Sequence, residues 1–164
     1  MDVVLVGSTA VCGDIQGMNC RRGALRVGLS GCGTIRPLVD AEVLTDVIQK
    51  AQQFGNAVSS MPYNEQIFLV NPDDESTTKA FIPRETIRRV CTPQAYQFGL
   101  IDEKYHEAFD RQVGIYGSHY TNTMMVELGV TLHFAAGSDK NIKLTTPDDL
   151  EIFKGYLKNN RLED

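Results

Sequence analysis

A chain of 164 residues, 42% hydrophobic and 23% charged, has the apolar content of one domain with a sizeable core. Its formal net charge of −5 argues against broad nucleic-acid binding, because phosphates repel an acidic surface. No apolar run reaches the roughly 18 residues of a membrane span, and the start MDVVLVGST lacks the basic n-region and long apolar stretch of a signal peptide, so a cytoplasmic location is expected.

The four cysteines, Cys12, Cys20, Cys32 and Cys91, form no CxxC pair and read as ordinary thiols. Seven of the fourteen glycines fall within the first 33 residues. Val3 to Val6 reads as one short buried strand. Ser8 to Gly33 has neither helical nor strand periodicity. Within it, Gly28-Leu-Ser-Gly31-Cys-Gly33 is G-x-x-G-x-G, the reverse of the dinucleotide fingerprint, with no clear strand before it and no helical pattern after it. It reads as loop. Residues 1–33 thus stand apart as an atypical glycine-rich segment, and residues 34–164 form the ordered part.

Asp40 is placed to cap a helix beginning at Ala41, with Leu44, Val47, Ile48 and Ala51 on one face and Gly55 ending it. Ala57 to Met61 predicts a strand. Gln66 to Val70 and Thr77 to Ile82 predict two more, joined by the polar turn Asn71-Pro-Asp-Asp-Glu-Ser, which together make a long arm. Thr92-Pro93 has the look of an N-cap followed by proline at the first helical position, predicting a helix over Gln94 to about Arg111. A shorter helix over Asn122 to Leu128, a strand over Thr131 to Ala135 and a short strand over Asn141 to Leu144 follow. Thr146-Pro147-Asp148-Asp149 then opens a last helix, whose expected core face is Leu150, Phe153, Tyr156 and Leu157. Helices alternating with strands predict an α/β fold with a largely parallel sheet.

Four segments stand out together. They are Ile35-Arg36-Pro37; the run from Ile82 through Arg84 to Thr92-Pro-Gln94-Ala-Tyr96; Thr121-Asn-Thr-Met-Met-Val-Glu127-Leu-Gly129; and Asn141-Ile-Lys143-Leu-Thr-Thr-Pro147-Asp-Asp149-Leu. In this order the set resembles the cytidylyltransferases that act on methylerythritol 4-phosphate or ribitol 5-phosphate, over about 120 of the 164 residues. The resemblance implies a Rossmann-like nucleotidyltransferase sheet, incomplete on its N-terminal side, with a protruding β-arm at about residues 62–90. It implies a homodimer hooked together through that arm. It also implies CTP and a polyol phosphate as substrates, pyrophosphate as a product, and Mg²⁺ as cofactor. The attacking phosphate oxygen is already charged, so catalysis would rest on positioning and charge stabilisation.

By the same resemblance Lys143 stands near the acceptor phosphate and the reacting centre, Arg84 on the arm binds that phosphate in the partner subunit's site, and Arg36 and Thr92 help hold the acceptor. A compact ammonium and a guanidinium fork both suit phosphate. Each residue has a plainer reading. Lys143 could be a solvated strand lysine and Arg84 a turn arginine paired with Glu85. Arg36-Pro37 could be a loop entry, and Thr92 a helix cap. Thr121, Asn122 and Thr123 are expected to border the cleft. Met124 and Met125 are expected in the core. His106, His119 and His133 are isolated and lack metal-ligand spacing.

Three departures from the family pattern are visible. No basic glycine loop for a triphosphate follows Val3 to Gly7. Gly33 stands where the family has a metal-binding aspartate, with Cys32 before it, so a carboxylate ligand for Mg²⁺ is missing. On the arm, Glu65-Gln66 replaces Asp-Thr. The expectation is a chain that lacks full activity alone. The alternative is a non-catalytic polyol-phosphate-binding or regulatory homologue that has lost the CTP site.

Overall fold

The computed structural model describes residues 2–6, 36–114 and 120–160. The readings made for Ser8 to Gly33, for Cys12, Cys20 and Cys32, and for His119 lie outside the described residues.

Strand β1, Val3–Val6, is buried along its whole length, as its unbroken apolar run requires. Helix α1, Ala41–Phe54, ends where Gly55 takes φ 92° and donates its N–H to the Ala51 carbonyl at 2.9 Å. Only glycine reaches that left-handed conformation without Cβ strain. Val43, Val47 and Ala51 are the buried stripe, with Leu44 and Ile48 at its margin. Asp40 precedes the helix, but its side chain makes no cap bond.

Strand β2, Asn56–Pro62, leads into a two-stranded hairpin of β3, Ile67–Leu69, and β4, Ala80–Ile82. A 3-10 turn at Arg84–Thr86 then gives way to β5, Arg88–Gln97. Helix α2, Phe98–Arg111, helix α3, Thr121–Glu127, strand β6, Phe134–Ala135, and helix α4, Pro147–Asn160, complete the order.

The main sheet runs β1-β5-β2-β6. β5 is antiparallel to both β1 and β2, and only the β2–β6 pair is parallel. The expectation of a largely parallel sheet is therefore corrected to a mixed one. The chain goes from β2 to β5 through the hairpin, and such a return is antiparallel, whereas it reaches β6 through helices, the crossover that parallel pairing needs. Both faces of the sheet are covered. Val3, Leu5, Ala57, Ala95 and Ala135 pack with the buried stripe of α1. On the other face Val4, Val6 and Tyr96 meet Ile101, Tyr105 and Ala108 of α2 and Met124 and Met125 of α3. The two-residue alternation of β1 and β5 sends neighbouring side chains to opposite cores.

The helix expected from Gln94 starts only at Phe98. Gln94, Ala95 and Tyr96 are buried strand residues between β1 and β2. Thr92 and Pro93, joined by a cis peptide bond, sit where the β2–β5 register slips, Val58 pairing with Gln94 and Ser59 with Cys91. Proline is tolerated there because a bulge asks nothing of its missing N–H. Asn141 to Leu144 joins no strand ladder, so the strand expected there is absent. The expected core face of α4 is also corrected. Phe153 and Tyr156 are half-buried, but Leu150 and Leu157 stay exposed at 43% and 42%, because no described strand lies beneath that helix.

Candidate functional site

The bulge in β5 frees a main-chain carbonyl from the ladder, and the fold uses it. Thr92 is buried, and its carbonyl oxygen accepts a hydrogen bond from Asn141 Nδ2 at 2.6 Å. The carbonyl of Asn141 in turn accepts from Arg36 Nη1. Three residues distant in sequence, Arg36 before α1, Thr92 in β5 and Asn141 before α4, thus meet at one junction.

Five buried side-chain polar atoms of the described residues have no hydrogen-bond partner: Arg36 Nε, Ser59 Oγ, Thr92 Oγ1, His133 Nδ1 and Asn141 Oδ1. Three belong to the junction, and Ser59 faces Cys91 across the bulge. Each unpaired buried group costs about 1–3 kcal/mol. Folding does not require that cost to be concentrated at one place, and a polar ligand or water would relieve it.

The loop leading to Asn141 is held tightly. Asp46 of α1 accepts the Ala136 N–H at 2.6 Å, and this bond, aided by Lys50, keeps the Asp46 carboxyl below its ordinary pKa. A Cβ on Gly137 would lie 2.8 Å from the Ser60 carbonyl oxygen, so the loop passes β2 closer than any other residue allows. Asp139 pairs with Arg89 of β5 at 2.8 Å. Two residues beyond Asn141, Lys143 is exposed while Ile142 and Leu144 are half-buried. The alternation expected of a strand is present without a partner strand. Downstream, Thr146 and Asp149 bond reciprocally: the Thr146 N–H reaches Asp149 Oδ2 at 2.7 Å and the Asp149 N–H reaches Thr146 Oγ1 at 3.2 Å. The Thr145 N–H adds a third bond at 2.9 Å. These bonds, that of the Thr145 N–H first, pull the Asp149 pKa down to about 2.

Of the four residues singled out in the sequence, Arg36 and Thr92 meet at the junction, and Lys143 is exposed two residues along the chain from Asn141. Thr92 caps no helix. Arg84 is exposed on the arm and lines a groove of about 600 Å³ with Gln66, Phe68, Phe81 and Glu85. No hydrogen bond or ion pair among the described residues joins it to the junction. Thr121 is taken up by the core, its hydroxyl 2.9 Å from Tyr105 Oη, and Thr123 caps α3. Met124 and Met125 are core residues. His106 lies exposed along α2, its Nδ1 2.8 Å from the Asp102 carbonyl oxygen, and His133 stacks on Phe54 at 4.6 Å between centroids. Asn141 escaped notice as more than a motif letter. An asparagine two residues ahead of the key lysine is a weak signal until its partner is known.

The junction holds one cation, Arg36, beside neutral oxygens, with Lys143 two residues along the chain, a set of groups compatible with an anion carrying hydroxyl groups. It does not fit Mg²⁺, which prefers carboxylate oxygens, and no group of three His, Cys, Asp or Glu side chains among the described residues is placed to hold a metal. Gly33, which the resemblance sets at a metal-binding aspartate's position, lies outside the described residues.

Comparison with known proteins bears on this arrangement. The family model for IspD, 2-C-methyl-D-erythritol 4-phosphate cytidylyltransferase, matches residues 32–159. A ribitol-5-phosphate cytidylyltransferase of Lacticaseibacillus paracasei is 59% identical over 128 residues, covering 78% of this chain and 54% of its own length. A 2-C-methyl-D-erythritol 4-phosphate cytidylyltransferase of Desulforamulus reducens is 33% identical, covering 75% of this chain and 50% of its own. The chain therefore spans about half the length of these relatives. Among solved structures, the 2-C-methyl-D-erythritol 4-phosphate cytidylyltransferase of Thermus thermophilus superposes with TM-score 0.62 at 23% identity, over 76% of this chain and 58% of that one. The 4-diphosphocytidyl-2C-methyl-D-erythritol synthase of Anaerococcus prevotii gives 0.66 at 17%, over 76% and 55%. Both share the fold.

Proposed function

The chain belongs to the 2-C-methyl-D-erythritol 4-phosphate cytidylyltransferase (IspD) family, and from that premise we propose that it forms the acceptor-binding and dimerising part of an enzyme that transfers CMP from CTP to ribitol 5-phosphate. The observation that carries the proposal is the Arg36–Thr92–Asn141 junction, with Lys143 two residues further along the chain. The choice of acceptor rests on 59% identity to the ribitol-phosphate enzyme, against 33% to the methylerythritol-phosphate one.

In the proposed reaction an oxygen of the acceptor phosphate attacks the α-phosphorus of CTP. The new P–O bond forms as the bond to the β-phosphate breaks, and pyrophosphate leaves with its charge. The attacking oxygen needs no base, so the protein's part is to hold two anions together. Lys143 and Arg36 balance the acceptor phosphate, and Thr92 orients the polyol. Mg²⁺ belongs to the proposal only as a partner of the nucleotide's phosphates.

Arg84 enters from a second copy. The arm exposes Phe68, Leu69, Val70 and Phe81, each at least half accessible, and no residue between Met61 and Cys91 is buried. An apolar projection of that kind favours a partner, and a homodimer through the arm would carry Arg84 into the neighbouring site. A cytoplasmic location, with synthesis of a ribitol-phosphate wall polymer, is part of the same proposal. No described helix is long and apolar enough to cross a membrane.

The test is pyrophosphate release by the purified chain with CTP, Mg²⁺ and each polyol phosphate in turn. Slow release with ribitol 5-phosphate alone is the expected result, in keeping with the missing basic glycine loop for the triphosphate. Release with methylerythritol 4-phosphate alone would move the chain to the isoprenoid branch. A folded dimer that binds ribitol 5-phosphate without release would restore the non-catalytic alternative, which the enzyme names of the relatives do not favour.

A further inference from the structure

We propose that Asn141 is a positioning residue that fixes Lys143 for the acceptor phosphate and couples it to Thr92 and Arg36. The inference rests on the acceptor-site reading above.

Lys143 lies in a segment without a strand partner, so the sheet does not place it. It is held from its two ends. Downstream, the reciprocal Thr146–Asp149 bonds and the Thr145 N–H fix the start of α4. Upstream, Asn141 is bonded at three points: Nδ2 to the Thr92 carbonyl at 2.6 Å, its carbonyl to Arg36, and its N–H to the Ser138 carbonyl at 3.1 Å. Three residues, Ile142 to Leu144, lie between the two anchors, a span short enough for each to limit where the Lys143 ammonium points. Asn141 is 4% exposed, and its amide orientation is set, because only Nδ2 has a proton for the Thr92 carbonyl. An aspartate of the same shape would oppose that carbonyl with a second acceptor. The same amide holds the bulge that carries Thr92, so one residue, through its side chain to Thr92 and its main-chain carbonyl to Arg36, ties together the three elements of the site. Among the described residues its Oδ1 and Thr92 Oγ1 have no hydrogen-bond partner, a cost that a polar ligand or water would relieve.

Two measurements test this on the intact chain. The first is calorimetric binding of ribitol 5-phosphate to the wild type, Asn141→Ala, Lys143→Gln and the double variant. If Asn141 acts through Lys143, N141A weakens binding about tenfold in the wild-type background and under about twofold when Lys143 is already gone. A purely structural loss would lower stability equally in both backgrounds and leave the affinity of the folded fraction unchanged. Equal penalties in the two backgrounds, or N141A binding as tightly as the wild type, would overturn the inference. The second needs no ligand. Amide exchange at residues 141 and 142, whose N–H groups are bonded to the Ser138 and Lys140 carbonyls, should quicken about tenfold in both N141A and the equal-sized Asn141→Asp, with β1 and β5 still protected. Unchanged exchange in both variants would also overturn it. If the wild type takes up no ribitol 5-phosphate, the functional reading fails on its own, and the exchange result still decides whether Asn141 is the anchor.

Discussion

Lys143 and Arg36 show how little a residue's chemistry says until its neighbours are known. Both were legible in the sequence because they stand in short motifs, and the plainer readings, a solvated lysine and a loop arginine, were equally consistent with the letters. Arg36 turns out half-buried with Nε unpartnered and Nη1 on the Asn141 carbonyl. Lys143 stays exposed, so its replacement should leave the fold intact. We expect Lys143→Gln to lower kcat/KM for ribitol 5-phosphate by about 100-fold or more with an unchanged melting temperature, measured by pyrophosphate release. Thr92→Val removes the unpartnered Oγ1 while keeping the side-chain volume and the carbonyl that Asn141 needs. It should be neutral or slightly stabilising in urea unfolding yet bind the acceptor about tenfold more weakly. Loss of stability with intact binding would mark Thr92 as structural.

Individual elements divide by where their signal resides. The last helix was readable because its start is local: Thr146, Pro147 and Asp149 lie within four residues, and the two side chains that cap it bond to its backbone. Its pH dependence follows with a definite sign. The folded Asp149 pKa lies near 2, below its ordinary value of 3.8. The cap therefore contributes in full above about pH 4 and is lost as pH falls towards 2. Amide exchange at the start of α4 should rise through that window, and Asp149→Ala should remove the rise. Helix α1 offers a plainer check. Val47 is fully buried, and Val47→Ala should cost about 2 kcal/mol in urea unfolding, from two lost methyl groups and the cavity they leave. The misread element is β5. Thr-Pro followed by a helix-compatible run is locally the same whether it opens a helix or fills a bulge. Contact with β1 and β2 decided for the strand, because Ala95 and Tyr96 each bury completely against a different core.

At the scale of the molecule, the described residues form a three-layer body and an arm none of whose residues is buried. If the arm is the dimer contact, Phe68→Glu combined with Phe81→Glu should sediment as a monomer at micromolar concentration. Its melting transition should still be that of a folded body, because both residues are more than half exposed in the single chain. The same variant should lose acceptor affinity, since Arg84 would no longer reach a second site. A dimer that survives both charges would place the interface elsewhere.

By itself the sequence determined the periodic and locally closed features: α1 with its glycine stop, the buried β1, the hairpin arm and the cap of α4. These depend on residues within a few positions of one another, and their physics is complete at that range. Only the tertiary structure decided that the sheet is mixed, that Thr92-Pro93 is a bulge, that the face of α4 is left open, and that Asn141 joins Arg36 to Thr92. Each of those outcomes turns on which carbonyl or apolar surface another part of the chain presents. Asn141 and Thr92 are 49 residues apart along the chain, and no local pattern encodes a bond whose acceptor is freed by a register slip between two strands.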